Sequence, residues 1–136
     1  MVIGKWLNAK QHVKLPLHKF TRADGERRVM VREDGQESHT VFALQQAWAG
    51  YSLLEAQLKT GRTHQIRVHL SHLDFPIAGD DKYGDFARNK ELMKQGLKRM
   101  FLHAHSIAFN HPLTGEVMRF VAPLPKELQS FMKKLG

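Results

Sequence analysis

The stretch Lys59-Thr60-Gly61-Arg62-Thr63-His64-Gln65-Ile66-Arg67-Val68-His69-Leu70 decides how this chain is read. Just upstream, Tyr51 to Lys59 alternates. Leu54, Ala56 and Leu58 fall on one face and Glu55, Gln57 and Lys59 on the other, which is the period of a strand. At Thr60-Gly61 the period changes. Ile66, Leu70 and Leu73 follow the i, i+4, i+7 spacing of a helix, with Thr63 placed to cap it and Asp74 with Pro76 to end it. A strand that turns through glycine into a helix leaves free N–H groups and the positive end of the helix dipole at the turn, a setting that suits an anion. Arg62 stands just before that end, and Arg67 follows His64 by three residues, so those two share a face. Such a group suits a phosphate, or a carboxylate gripped by bidentate contacts; the plainer alternative is a solvated basic face.

Working outward, Arg27 to Arg32 is strand-like and Asp34-Gly35 is a turn dipeptide. Ser38 to Gln46 then alternates with Thr40, Phe42 and Leu44 on one face, so the two runs are expected to form a hairpin. Lys10 to Asp24 has no clean period and is expected to be an extended connector anchored by Leu15-Pro16-Leu17. Downstream, Ala78 to Asp85 reads as a loop with Gly79 and Gly84, and Arg88 to Arg99 as a short helix interrupted by Gly96. Phe101 to Phe109 and Glu116 to Val121 read as strands around Pro112-Leu113-Thr114-Gly115. Leu128, Met132 and Leu135 mark a last amphipathic helix. Strand runs joined by hairpin turns, with helices between them, predict an α+β fold: a mixed, largely antiparallel sheet with flanking helices.

The 136 residues carry a net charge of +8 from 21 Lys and Arg, a surplus that favours a polyanionic partner such as nucleic acid. No cysteine is present, which removes disulfides and thiolate metal sites and fits a reducing cytoplasm. No apolar run approaches the ~20 residues that span a bilayer, so no membrane role is expected. The histidines raise a metal reading, since His64, His69 and His72 are close in sequence, as are His103 and His105. No His-Glu-x-x-His pattern accompanies them, and His103 and His105 fall on one strand face, where packing or backbone hydrogen bonds are more usual; no metal is expected.

The stretch from Lys59 to Leu70 closely resembles the third sequence motif of the pseudouridine synthases that act on large-subunit ribosomal RNA. Asp34 to Phe42 resembles the hairpin that precedes it in that family. Pro76-Ile77-Ala78-Gly79-Asp80-Asp81-Lys82-Tyr83-Gly84-Asp85 resembles a conserved loop, and Leu102-His103-Ala104 with His111-Pro112-Leu113-Thr114-Gly115-Glu116 resembles the closing hairpin. The match runs from about Val2 to Pro125 in the family's order.

The resemblance implies the pseudouridine synthase fold, with residues 1–136 as the C-terminal portion of its catalytic domain. It implies an isomerase that converts specific uridines of 23S ribosomal RNA to pseudouridine without metal or organic cofactor. It also implies that Arg67 is the arginine that pairs with the nucleophilic aspartate. Lys59, Arg62, His64 and Gln65 are the candidates for RNA contact, with hydrogen bonding inside the helix start as the alternative for His64 and Gln65. The family's nucleophile lies in a string reading His-Arg-Leu-Asp-x-x-Thr-Ser-Gly, which this sequence does not contain. Val2-Ile3-Gly4-Lys5-Trp6 resembles the pattern just after the family's active-site tyrosine, and Tyr51 and Tyr83 match other positions. The expectations are therefore a chain inactive by itself, dependent on the N-terminal half of its domain, and prone to self-association through Ile3, Trp6 and Leu7. A non-catalytic RNA-binding module is the alternative.

Overall fold

The computed structural model describes residues 1–136, which divide into two compact units, residues 1–101 and 102–136. The first unit is built on a four-stranded antiparallel sheet in the order β1 (Val2–Ile3), β6 (Tyr51–Leu58), β5 (Thr40–Trp48), β2 (Lys10–Val13). β5 and β6 form the central hairpin. Trp48 pairs with Tyr51 across Ala49-Gly50, and Gly50 at φ 81° supplies the left-handed residue that a two-residue turn needs. The register slips between Leu44 and Gln46, a bulge that breaks the alternation of β5.

The segment read as a connector contains two strands, β2 and β3 (Leu17–Thr21). Most of their residues are exposed or half-exposed, and only Val13 and Leu17 are buried, so no alternation marks them. The expected hairpin partners also change. β4 (Arg27–Val31) pairs with β3, while β5 pairs with β6 and β2. Two Asp-Gly dipeptides compete here. Asp24-Gly25 makes the β3–β4 turn, with Gly25 at φ 85° and the Asp24 carboxylate accepting from Glu26 N–H. Asp34-Gly35 only brings Gln36 back to bond Leu17 through both backbone groups, at 2.8 and 2.9 Å.

α1 (Gln65–His72) starts one residue later than the expected cap. His64, not Thr63, is the N-cap, at φ 53° and ψ 22°, and it makes no side-chain capping bond. The helix ends at Leu73, with Asp74 at φ 68° and Phe75 N–H returning to Leu70 O. Val68 of this helix packs on Leu17 and Val29 of the β3–β4 ribbon, with Val31 and Tyr83 beside them. α2 (Phe86–Lys94) starts earlier than expected because Asp85 caps it, accepting from Arg88 N–H at 3.0 Å; it ends before Gly96, which sits at φ 103°.

Trp6 is 3% exposed, held edge-on between Phe42 and Phe75, so it belongs to its own chain's core and is not available to a second copy. The outer edge of β1 is likewise occupied. Ile3 N–H bonds Pro76 O and Ala78 N–H bonds Met1 O, leaving Leu7 as the exposed member of the expected contact.

The second unit holds the antiparallel pair β7 (Ser106–Asn110) and β8 (Val117–Val121), then α3 (Lys126–Lys134) with Leu128 and Phe131 buried. β7 is shorter than expected at its start. His103 and His105 precede it, and both rings bond the carbonyl of Ala122, at 2.9 and 3.1 Å. No helix of the chain is long and apolar enough to cross a membrane.

Candidate functional site

The turn between β6 and α1 is held from inside by Gln65. Its amide oxygen accepts from Thr60 Oγ1 at 2.8 Å and Arg62 N–H at 2.9 Å. Its amide nitrogen donates to Thr40 Oγ1 at 2.8 Å and His39 O at 3.1 Å. Gln65 is 3% exposed, so an RNA contact through it would have to displace one of these four bonds. Lys59 and Arg62 are exposed on the turn, Arg62 with its Nε on the carbonyl of Glu37 at 3.0 Å.

His69, fully buried under the turn, places Nδ1 3.0 Å from Thr40 Oγ1 and Nε2 2.9 Å from Leu15 O and 3.0 Å from Ser38 Oγ. Burial holds its pKa below the ordinary imidazole value against the opposing pull of the Leu15 carbonyl. It pins the Leu15 segment to β5, and no three His, Asp or Glu side chains of the chain converge in a metal-holding arrangement.

Arg67 points out of α1 onto the loop that follows it. Nε donates to Asp80 Oδ2 at 3.0 Å and Nη2 to Asp80 Oδ1 at 2.7 Å, a bidentate fork. The carboxylate that grips Arg67 within this chain is therefore Asp80, and the exposed Asp81 lies farther off, its Oδ1 3.7 Å from Nη2. Asp80 is 1% exposed and also accepts from the N–H groups of Lys82 at 2.9 Å and Tyr83 at 3.1 Å. Asn89 of α2 clamps the same loop, accepting from Gly79 N–H and donating to Asp80 O. Gly79, at φ 82°, lies so close to the carbonyl of Arg99 that a Cβ there would collide with it.

Tyr83 completes the floor. Its hydroxyl accepts from Val29 N–H at 3.0 Å and shares a hydrogen bond with His64 Nδ1, 2.8 Å away. That contact ties the His64 ring to the Tyr83 hydroxyl. Burial, then Arg67 and Lys82, hold the His64 pKa below the ordinary value against Asp80. The Arg67 guanidinium lies 5.2 Å from the Tyr83 ring centre and that of Arg28 lies 5.7 Å from it. The Nη1 corner of Arg67 bonds no protein atom, and the side chain keeps 13% of its surface exposed. The site is thus a planar cation fixed on one edge by a buried carboxylate, stacked on a tyrosine, and open at one corner to a second anion.

Of the residues singled out from sequence, Arg67 and His64 come together at this floor, Lys59 and Arg62 stand on the exposed turn, and Gln65 braces it. Asp80, Tyr83 and Arg28 carry the geometry but were assigned no role. The available signal was the acid just after Gly79 in the Pro76–Asp85 loop.

Asp80 supplies a test of the pair. Burial pushes its carboxyl up, but Arg67 and the two loop N–H groups outweigh it and hold the pKa below the ordinary 3.8. The unfolded chain therefore takes the proton more readily, and the pair's stabilisation is complete above the ordinary value and lost as pH falls through the depressed one. Removing one partner leaves a largely buried charge alone, so Asp80→Ala is expected to cost about 3 kcal/mol at pH 7 in urea unfolding. Asp80→Asn should flatten the loss of stability below about pH 4. A wild-type stability below pH 4 identical in slope to that of Asp80→Asn would show that the pair does not matter to folding.

The sequence pattern of the family described as RNA pseudouridylate synthase matches residues 3–72. The chain is 45% identical over 135 residues to ribosomal large subunit pseudouridine synthase C of Haemophilus ducreyi, covering 99% of this chain and 42% of that one. It is 42% identical over 137 residues to the protein of that name in Escherichia coli (strain K12), covering 99% and 43%. The chain thus spans less than half the length of these relatives. In fold it resembles the human RNA pseudouridylate synthase domain containing 4 (TM-score 0.73, 24% identity, 98% of this chain and 59% of that one). The human domain containing 1 is similar at TM-score 0.68 and 23% identity, over 98% and 62%.

Proposed function

This chain belongs to the RNA pseudouridylate synthase family, and on that premise we propose that it is the arginine-bearing, RNA-facing part of an enzyme that isomerises uridine to pseudouridine in large-subunit ribosomal RNA. The observation that carries this reading is the half-used guanidinium of Arg67, fixed by Asp80 and open at Nη1 beside Tyr83 and His64. An arginine held in this way is placed to keep a second carboxylate ionised and aimed. The nucleophilic aspartate of the family would be that carboxylate. The family's string that carries it does not occur in this sequence, and on this reading residues 1–136 act as the C-terminal portion of the catalytic domain and depend on a segment that carries it. The +8 charge and the names of the relatives support ribosomal RNA as the partner, with Lys59, Arg62 and His64 as contacts.

The test is the salt dependence of RNA binding. If the chain neutralises about four phosphates, raising salt from 50 to 200 mM should weaken binding of a ribosomal RNA fragment about 10²-fold through counterion release. Binding that ignores salt, or no binding at 50 mM, overturns the RNA-facing reading. The second reading, a non-catalytic RNA-binding module, rests on the absent nucleophile and predicts the same binding with no modification in any assembly.

A further inference from the structure

A second basic cluster lies at one end of the four-stranded sheet, apart from the Arg67 floor. β2 pairs with β5 through Val13 and Thr40, and β5 with β6 through Thr40 and Leu58. One residue further on, Lys14, His39 and Lys59 come abreast across the three strands, and positions abreast in antiparallel pairs face the same side. His12 lies two residues from Lys14, hence on the same face. Its Nδ1 is 2.9 Å from His39 Nε2, with the rings 5.1 Å apart. An imidazole–imidazole hydrogen bond needs one ring to donate and the other to accept, so at least one of the two is neutral. Protonating the acceptor breaks the bond and frees both nitrogens as donors.

The charges around His39 share one sign. Desolvation, then Lys14, His12 and Lys59, hold its pKa below the ordinary value. No acidic group acts on it in return. Glu37, the nearest acid along the chain, lies on the segment whose carbonyl holds Arg62. Behind the cluster His69 is buried and fully bonded. His12, Lys14 and Lys59 are exposed, and His39 is half-exposed. Four cations or near-cations without a counter-ion are mutually repulsive, and a polyanion relieves that repulsion.

We propose that His12, Lys14, His39 and Lys59 form a seat for a backbone phosphate of the bound RNA, next to the Arg62 turn and separate from the Arg67 floor. The proposal rests on RNA as the partner. A phosphate there supplies the missing negative charge, so the imidazole pair takes up a proton when RNA binds. His39 also ties this seat to the site. Its N–H donates to Thr60 Oγ1 at 3.0 Å, and its carbonyl accepts from Lys59 N–H at 3.0 Å and Gln65 Nε2 at 3.1 Å. An RNA strand on the seat therefore bears on the backbone that positions the turn.

The test measures RNA affinity of the chain at pH 6.0 and 7.5 by fluorescence anisotropy, at fixed salt. A phosphate that raises the pair's pKa by about one unit should tighten binding about fourfold between pH 7.5 and 6.0. His12→Gln with His39→Gln should bind RNA with no such pH dependence, whereas Arg62→Ala should weaken binding equally at both. The single variant His12→Gln, exposed on the last strand of the sheet, serves if the double variant does not fold. In parallel, the imidazole C–H resonances of His12 and His39 should shift on adding RNA and, more weakly, inorganic phosphate. RNA binding that leaves those resonances and the pH profile of the double variant unchanged overturns the seat while sparing the RNA reading. No RNA binding by any form overturns both. Shifts produced by an acidic peptide but not by RNA would assign the seat to a protein partner and overturn the proposal.

Discussion

Arg67→Ala is expected to lower the single-turnover rate of pseudouridine formation by about 10²–10³-fold, the usual cost of removing a fixed electrostatic partner from a reacting group, in the enzyme completed with its nucleophile-bearing segment. RNA affinity changes much less, because Arg67 is largely enclosed and spends one edge of its fork on Asp80. Without the guanidinium, a nucleophilic carboxylate at the open corner loses its counter-charge, its pKa rises and its aim loosens, and these losses fall on the chemical step. Arg67→Lys restores charge but not the two-bond grip on Asp80, so it recovers activity only in part. Asp80→Asn separates positioning from chemistry. It leaves the arginine in place but weakens the fork, and should cost about tenfold in rate, one order in the sense of ~1.4 kcal/mol. The measurement is single-turnover kinetics at saturating RNA, with affinity and folding followed separately. Near-normal rates for Arg67→Ala with lost affinity would make the arginine an RNA contact.

Residues 1–136 by themselves are expected to form no pseudouridine in deproteinised large-subunit RNA. The covalent step needs a nucleophile, and the positioning groups around Arg67 have nothing to assist without one. Two of the chain's aspartates reach the site: Asp81, exposed with Oδ1 3.7 Å from Arg67 Nη2, and Asp80, buried and committed to Arg67, Lys82 and Tyr83. It is ionised but turned inward, and so is unable to approach a flipped base. Chemical mapping of pseudouridine after incubation with the purified chain, beside a full-length relative as control, decides this. Modification at the control's level would mean that a carboxylate of this chain is the nucleophile and that the reading of Asp80 as a brace is wrong.

The α+β class, the strand–turn–helix unit around Gly61 and the place of Arg67 on the helix were legible in the residues, because each depends on local information. Period 2 changes to period 3.6 at one glycine, and a charged side chain sits at a known helix position. The pairing of strands was not legible in the same way. Asp24-Gly25 and Asp34-Gly35 are equally good turns locally. What separates them is that β3 returns Leu17 to Val29 and Val68, burying all three. β2 and β3 were hidden because few of their side chains are buried, so hydrogen bonds rather than an apolar stripe define them.

The site divides along the same line. Sequence by itself determined that an arginine, a histidine and an exposed basic turn stand at a helix start, and that the family's nucleophile string is missing. Only the tertiary structure decided that Gln65 is a brace, that Asp80 holds Arg67, and that Tyr83 bonds His64. Those partners lie 13 and 19 residues away along the chain. Which of several acids or tyrosines reaches a given cation is settled by where a loop is pinned, here by Asn89 and the close approach of Gly79 to Arg99. Burial then makes the choice energetically binding, since a carboxylate at 1% exposure is tolerable only where a guanidinium and two backbone N–H groups meet it.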